Sequence, residues 1–332
     1  MTDLKFKFKF VNEKGQEEGI FSKKGTVTQE SLTLDKDEIP IAAIVKTETK
    51  FKRLVFYLAQ ENGEILPLVL SIPKDCNAVF KQVNSALSFK RAEQRLEDLT
   101  AQGRADAFQA LDCVHCQSVI DLTELPLSPD IYCEYCETVQ GRDGVKDKMD
   151  AKFHICDQCG YFGQPREFTV FYFYFLLVIY GWRQQQVHMC DTCMRSEAWK
   201  MFFGNFIFIL GLPFALIQLC RVYFGGSALS KDFKALATAN ALAKKGKVDK
   251  AEKLYQQMLG KAHLPAGLHY NLGLLYARAG RMEDAAQAFK AALESCVNYW
   301  PAIHALLHCY QQLNQLDEAQ QLKQLYEMEH GR

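Results

Sequence analysis

The stretch HICDQCGYFGQPREFTVFYFYFLLVIYGWRQQQVHMCDTC, residues 154–193, joins two features that belong to different environments. It contains two Cys-x-x-Cys pairs, Cys156/Cys159 and Cys190/Cys193, with a strongly apolar and aromatic run between them. Cysteine pairs of this spacing are typical of metal-binding knuckles. A run such as FYFYFLLVIY is typical of a membrane or a deep core. The organisation of the chain depends on how the cysteine pairs and the apolar run between them are combined.

Cysteine use along the chain predicts metal ligation. The chain has 332 residues and twelve cysteines, and eight of these form four Cys-x-x-Cys pairs. The N-terminus, MTDLKFKFKF, lacks the apolar segment of a secretory signal, so we expect a reducing compartment in which disulfides are rare. The predicted thiolate ligands are Cys113, Cys116, Cys133, Cys136, Cys156, Cys159, Cys190 and Cys193.

The first two pairs have the spacing of a small zinc module. Sixteen residues separate Cys116 from Cys133, within the range that brings two such turns onto one ion. Four thiolates in a tetrahedral arrangement favour Zn²⁺. Residues 103–142 therefore resemble a zinc ribbon, which implies that the metal supplies much of the folding free energy of this segment.

The other two pairs predict a second four-cysteine Zn²⁺ module within residues 150–226. Gly160 follows Cys159, and we expect it to let backbone amides turn toward the thiolates. Pairing between the modules, instead of within each, stays open. Closed four-thiolate sites leave no open coordination position, so we expect no enzyme activity. A dithiol oxidoreductase is the catalytic alternative, since its motif is also Cys-x-x-Cys.

Two apolar runs, 168–182 and 201–220, predict membrane contact. If the second module holds one ion, both ends of 168–182 lie on the same side of a membrane, so this run cannot cross once. Its aromatic residues favour the headgroup region. The run 201–220 would reach about 30 Å as a helix, enough to span. Gly211 and Pro213 would bend it midway, so spanning and re-entry both stay open. Alternatively, both runs are buried in a soluble complex.

Residues 1–102 predict an antiparallel β-domain. KFKFKFV, from Lys5, alternates charged and apolar side chains as a half-buried strand does. Further short runs with turn residues between them follow, and helical spacing extends from about residue 75 to 101. Several strands closed by one C-terminal helix resemble a pleckstrin-homology-like domain.

Residues 230–330 contain a helical repeat. Three similar segments begin 34 residues apart, at Ala251, Ala285 and Ala319. Gly273 and Phe289 occupy positions that this pattern assigns to close helix packing. The region resembles a tetratricopeptide array, which implies a scaffold that binds a protein or peptide in a concave groove. A purely structural or self-associating role is the alternative.

Taken together, the sequence predicts a multidomain α+β protein without catalytic function. Lys plus Arg and Asp plus Glu both number 39, and residues 121–137 contain five acidic and no basic side chains, so we expect no nucleic-acid partner. We expect a membrane-associated, zinc-binding adaptor whose soluble domains lie in the cytoplasm. The alternatives are a soluble scaffold subunit, a zinc-ribbon nucleic-acid binder and the oxidoreductase.

Overall fold

The structure is a computed structural model, and it divides into two compact units, Met1–Glu124 and Leu125–Arg332. The boundary falls inside the segment 103–142 that the sequence assigned to one ribbon. The described residues are 3–13, 15–50, 53–60, 62–142, 153–176, 179–206, 212–224, 235–262 and 264–330.

A seven-stranded antiparallel sheet forms most of the first unit. Its strands are β1 (Leu4–Phe10), β2 (Lys23–Val27), β3 (Ser31–Leu34), β4 (Asp37–Pro40), β5 (Ile44–Lys50), β6 (Arg53–Ala59) and β7 (Ile65–Ser71), in the order β4-β3-β2-β1-β7-β6-β5. Within β1, Phe6 and Phe8 are buried while Lys5 and Lys7 are exposed, as the alternation predicts.

Helix α1 (Cys76–Ala101) follows the sheet and covers its core. Val79 and Val83 are buried against the strands, and Thr47 on β5 donates a 2.5 Å hydrogen bond to Asn84. The short strands β8 (Ala110–Asp112) and β9 (Val119–Asp121) come next. The predicted β-domain with a C-terminal helix is confirmed. The pleckstrin-homology resemblance stays a prediction.

The second unit begins with three two-stranded sheets and a helix pair. The elements are β10 (Asp130–Cys133) with β11 (Thr138–Gly141), β12 (His154–Ile155) with β13 (Phe162–Gly163), β14 (Arg166–Leu176) with β15 (Ile179–Met189), and then α2 (Asp191–Phe206) and α3 (Leu212–Phe224).

The apolar run 168–182 is a β-hairpin. The strands β14 and β15 pair from Arg166↔Met189 to Leu176↔Ile179, so both ends of the run return to the same place. The run 201–220 is divided between α2 and α3, and residues 207–211 lie outside the described part of the chain. None of the helices described has both the length and the apolarity to cross a bilayer. The expectation of a membrane-spanning element at 201–220 therefore has no support from the helices.

Six helices complete the chain in three successive pairs. They are α4 (Leu236–Lys244), α5 (Val248–Leu259), α6 (Pro265–Arg278), α7 (Met282–Ser295), α8 (Trp300–Gln312) and α9 (Leu316–His330). The predicted repeat positions Ala251, Ala285 and Ala319 are all buried at the second helix of a pair. The helical pairs share one hydrophobic cluster with the residues around the second set of cysteines.

Close packing within the middle pair explains the small residue at 273. A Cβ on Gly273 would lie 2.5 Å from Cε1 of Phe289, so a larger residue would push α6 away from α7. In the last pair, exposed Lys323 occupies the corresponding aromatic position. Tyr326, one turn later, is buried instead and donates a 2.6 Å hydrogen bond to the Val297 carbonyl.

Candidate metal sites and the repeat array

Three of the four Cys-x-x-Cys pairs adopt the same tight turn. The residue after the second cysteine has a positive φ: 64° at Gln117, 58° at Glu137 and 72° at Gly160. Its amide donates to the carbonyl of the first cysteine, over 2.9, 2.7 and 2.8 Å respectively. Only Gly160 carried a sequence signal for this turn, because glycine adopts positive φ without steric cost.

The turn at Gly160 brings a backbone amide to a sulfur, as expected. The Gly160 amide itself bonds to the Cys156 carbonyl, and the next amide, that of Tyr161, hydrogen-bonds the Cys159 sulfur. A further amide, that of Cys190, lies 3.3 Å from Cys156 Sγ. An N–H donor of this kind favours the charged thiolate, the form that binds metal.

The fourth pair is built differently, because it starts a helix. Cys190 directly follows β15, and Cys193 lies in the first turn of α2. An ion pair of 2.9 Å between Arg166 and Asp191 joins the start of β14 to this helix. The hairpin and α2 therefore both begin at the second cysteine set, next to each other.

The eight predicted ligands gather into two separate sets. Within each set the four sulfurs lie within 4.8 Å of one another. One set contains Cys113, Cys116, Cys133 and Cys136, and the other contains Cys156, Cys159, Cys190 and Cys193. The alternative of pairing between the modules is thereby excluded.

The spacing of the sulfurs fits a tetrahedral metal ion. Zn–S bonds of about 2.3 Å place two sulfurs about 3.8 Å apart, and Cys159 Sγ lies 3.8 Å from Cys190 Sγ. In the second set only Cys190 is more than slightly exposed. The residues present therefore form sites suited to a metal that accepts four thiolates.

Hydrogen bonds among the thiols of the second set shift the pKa values of Cys156 and Cys190 in opposite directions. Hydrogen bonds from Cys159, Cys190 and Cys193 lower the pKa of Cys156 below its ordinary value. Hydrogen bonding to Cys156 and to the other two neighbours, together with burial, raises the pKa of Cys190. Four thiolates this close repel one another, and a divalent cation would remove that repulsion.

A side chain of the repeat array holds the backbone of the second module. Asn271 on α6 accepts a hydrogen bond from the Phe162 amide at 2.7 Å and donates one to the Phe162 carbonyl at 2.8 Å. Asn240 on α4 donates to the same carbonyl at 2.9 Å and is itself fixed by the Tyr255 hydroxyl. The Phe162 ring fills the space that Gly267 leaves on α6.

A second asparagine makes the same pair of contacts with another strand. Asn298, just before α8, accepts from the Tyr132 amide at 2.9 Å and donates to the Tyr132 carbonyl at 2.8 Å. Tyr132 immediately precedes Cys133. No spacing in the sequence indicated that these asparagines bind the chain's own strands.

Two basic side chains of the array reach the second cysteine set. Lys244, at the end of α4, places Nζ 3.0 Å from Cys193 Sγ. Arg278, at the end of α6, donates to the Cys159 carbonyl at 2.6 Å, and its guanidinium lies 4.6 Å from the centre of the Tyr161 ring. No pattern in the sequence indicated that either residue reaches the cysteines.

Comparison with known proteins agrees with the helical geometry. The family model described as "Tetratricopeptide repeat" matches residues 236–299, from the start of α4 to the residue before α8. No curated protein and no solved structure matches the chain. The C-terminal helices are therefore tetratricopeptide repeats, and part of the surface that their first helices present is covered by the chain's own strands.

Proposed function

We propose that this protein is a non-enzymatic scaffold that attaches to a membrane surface through its apolar β-hairpin and the helices α2 and α3. Zinc-bearing cysteine modules support these elements, and the tetratricopeptide array holds the modules by hydrogen bonds. The observation that carries the membrane assignment is an exposed apolar surface on the helices α2 and α3.

Helix α3 is apolar on two opposite sides. One side, with Ala215 and Val222, is buried in the core of the unit. The other exposes Leu216, Ile217 and Phe224 at helical spacing, and Phe224 is 88% exposed. Large apolar side chains exposed together on one side of a helix mark a surface that contacts a partner or a membrane.

The exposed apolar surface continues onto α2. The indole of Trp199 stacks on Phe203 with 5.7 Å between ring centres, and its Nε1 donates to the Tyr223 hydroxyl at 3.1 Å. These contacts join the exposed sides of the two helices into one surface. Its mixture of aromatic and aliphatic groups matches the boundary between headgroups and acyl chains.

Basic side chains lie beside this surface. The Arg195 guanidinium lies 5.3 Å from the centre of the Tyr223 ring, and Lys200 and Arg221 are exposed on the same two helices. Cations next to an apolar surface favour anionic lipid headgroups, each contributing about 1 kcal/mol near such a membrane.

The two apolar runs approach the same end of the second unit. Arg166 and Asp191 begin β14 and α2 side by side, and about 20 Å further along each element Phe171 and Asn205 meet again. There the Asn205 amide donates to the Phe171 carbonyl at 3.0 Å. Beyond Phe171, β14 and β15 stay paired as far as Leu176↔Ile179.

The backbone groups along the two outer edges of the hairpin limit how deeply it can enter a membrane. The sheet of β14 and β15 has two strands, so the outward backbone groups of each have no further strand as partner. Such groups lose their hydration in hydrocarbon at a cost of several kcal/mol each. We therefore assign the ends of β14 and β15 that pair at Leu176↔Ile179 to the headgroup region, with both modules on the cytoplasmic side.

The closed cysteine sets support the non-enzymatic part of the proposal. Zinc is the proposed metal because it prefers four thiolates, and a full thiolate shell leaves no position for substrate. The dithiol oxidoreductase alternative requires a reactive pair in the metal-loaded protein. A labelling experiment with a thiol reagent on the loaded chain distinguishes the two.

Recruitment of a protein partner is proposed for the array surface that the modules leave exposed. The family match supports a binding role for the repeats. The face near Asn240 and Asn271, however, already holds Phe162. Binding of a partner in that part of the groove would have to displace the module.

Membrane fractionation of the full chain tests the proposal. We expect the protein in the membrane pellet after a high-salt wash, and Ile217→Asp to move it to the soluble fraction because the charge would enter the acyl boundary. Leu316→Asp on α9, an equally exposed apolar position elsewhere, is the matched control and should stay in the pellet.

Three outcomes separate the alternatives. If salt alone released the wild type, the membrane contact would be purely electrostatic, and insertion of apolar side chains would be contradicted. Recovery of the wild type in the soluble fraction from the start would favour the scaffold whose apolar runs are buried in a complex. Retention of Ile217→Asp in the pellet would mean that the surface on α2 and α3 is not the anchor.

A further inference from the structure

The second cysteine set receives a charged contact from outside its own module. Lys244 belongs to the first helix of the repeats, yet its ammonium lies 3.0 Å from Cys193 Sγ. Cys193 is 1% exposed, so the lysine stem carries the charge inward to a buried sulfur. The two residues are 51 positions apart in sequence.

The contact between Lys244 and Cys193 would stabilise the negative charge of the site once a metal is bound. Four thiolates and one divalent cation carry a net charge of −2, and the site is largely buried. A buried negative charge is stabilised by opposite charge and by N–H donors. The Cys190 amide supplies one such donor to Cys156, and Lys244 supplies a donor together with a full positive charge.

We propose that Lys244 is a positioning residue of the metal site, through which metal binding and docking of the repeats on the second module are coupled. This inference rests on the metal part of the proposed function. Coupling is reciprocal, because a contact that favours the loaded site in the docked state must favour docking when the metal is bound.

Arg278 strengthens the coupling from a second repeat. It donates to the carbonyl of Cys159, a ligand of the same set, and lies over the ring of Tyr161. Two repeats therefore contact two ligand residues. Loss of the metal would release the turn that presents Cys159 and Phe162 to the array.

The first test measures metal release from the full chain loaded with zinc, using an excess of a chromophoric chelator. We expect Lys244→Met, which keeps the stem and removes the charge, to release one of the two metals at least about threefold faster. Lys244→Arg should restore most of the slow rate. Lys245→Met, at the exposed neighbouring position, is the matched control. Equal rates for Lys244→Met and Lys245→Met would overturn the inference.

A spectroscopic test separates a direct contact from general loosening. In the cadmium-loaded protein, ¹¹³Cd NMR should show two resonances, and Lys244→Met should shift only one of them. If both stay in place, the contact with the thiolate is absent and the inference fails. If no cadmium or zinc binds to the wild type, the metal part of the proposed function fails instead.

Hydrogen exchange tests the coupling itself. Metal removal by a chelator should raise amide exchange in α4 and α6, which contact the module, and leave α9 much less affected. Unchanged exchange in α4 and α6 with the metal removed would show that docking does not depend on the metal.

Discussion

The side-chain amide of Asn271 pairs with both backbone polar groups of Phe162, 109 residues earlier in the chain. Its carbonyl oxygen accepts from the Phe162 amide at 2.7 Å, and its nitrogen donates to the Phe162 carbonyl at 2.8 Å. The segment that this asparagine of a tetratricopeptide helix holds belongs to the same protein. This part of the surface of α4 and α6 is thus occupied by β13 of the same protein.

Removal of this asparagine should weaken the second unit. Asn271→Ala deletes three hydrogen bonds, two to Phe162 and one to Asn240, and leaves buried backbone groups of Phe162 without that partner, which costs about 2–3 kcal/mol. Urea unfolding followed by far-UV circular dichroism measures the change. Asn62→Ala, in an exposed turn of the first unit, is the control and should change stability by less than about 0.5 kcal/mol. A small effect of Asn271→Ala would show that water replaces the lost contacts.

Gly267 should tolerate a methyl group only when Phe162 is absent. A Cβ at this position would overlap with the Phe162 ring, so Gly267→Ala should destabilise by about 1–3 kcal/mol. Phe162→Ala alone should cost about 3–5 kcal/mol. In the Phe162→Ala background, Gly267→Ala should be neutral or stabilising, since alanine favours a helix over glycine by about 1 kcal/mol. A double-mutant cycle by urea unfolding measures this, and additive effects would contradict the contact.

Gln117 occupies a backbone conformation that favours glycine. Its φ is 64°, and its amide closes the first knuckle onto Cys113. Gln117→Gly should therefore raise the free energy of unfolding by up to about 1 kcal/mol, because the steric cost at the Cβ disappears. Gln94→Gly, within helix α1, should have the opposite sign. Thermal unfolding of the metal-loaded protein checks both, and destabilisation by Gln117→Gly would be incompatible with the described turn.

The two cysteine sets should lose metal independently. Native mass spectrometry should find two zinc ions in the wild type. Cys116→Ser and Cys159→Ser should each leave one, because each mutation removes a ligand from a different set. Cys220→Ser, at an exposed cysteine on α3, should retain both. If a single ligand mutation removed both ions, the sets would not be independent.

The sequence predicted the elements that depend on local chemistry. The eight ligands were recognisable because metal binding needs a particular residue type at a short fixed spacing. The repeats were recognisable because buried positions such as Ala251 and Ala285 recur every 34 residues. The β-domain followed from the alternation in KFKFKFV, in which Phe6 and Phe8 are buried.

The apolar run 168–182 shows where local patterns are insufficient. A continuous apolar run does not by itself distinguish a strand from a helix. Its Phe, Tyr and Val content favours a strand, but only the pairing of Arg166 with Met189 and of Leu176 with Ile179 decides the hairpin. A shared four-cysteine set predicted that both ends of the run lie close together, and the pairing of Arg166 with Met189 confirms this; their position relative to a membrane stays a prediction.

The sequence alone determined which cysteines gather into four-cysteine clusters and which helices repeat, because the cysteine spacing and the periodicity lie within a few tens of residues. Only the tertiary structure decided what those elements contact. Asn271 meets Phe162 across 109 residues and Lys244 meets Cys193 across 51, and no local pattern records such pairs. These contacts form because the cysteine module and the repeats bury their apolar surfaces in one core. The shared burial brings Asn271 to Phe162 and Lys244 to Cys193, although each pair is distant in sequence.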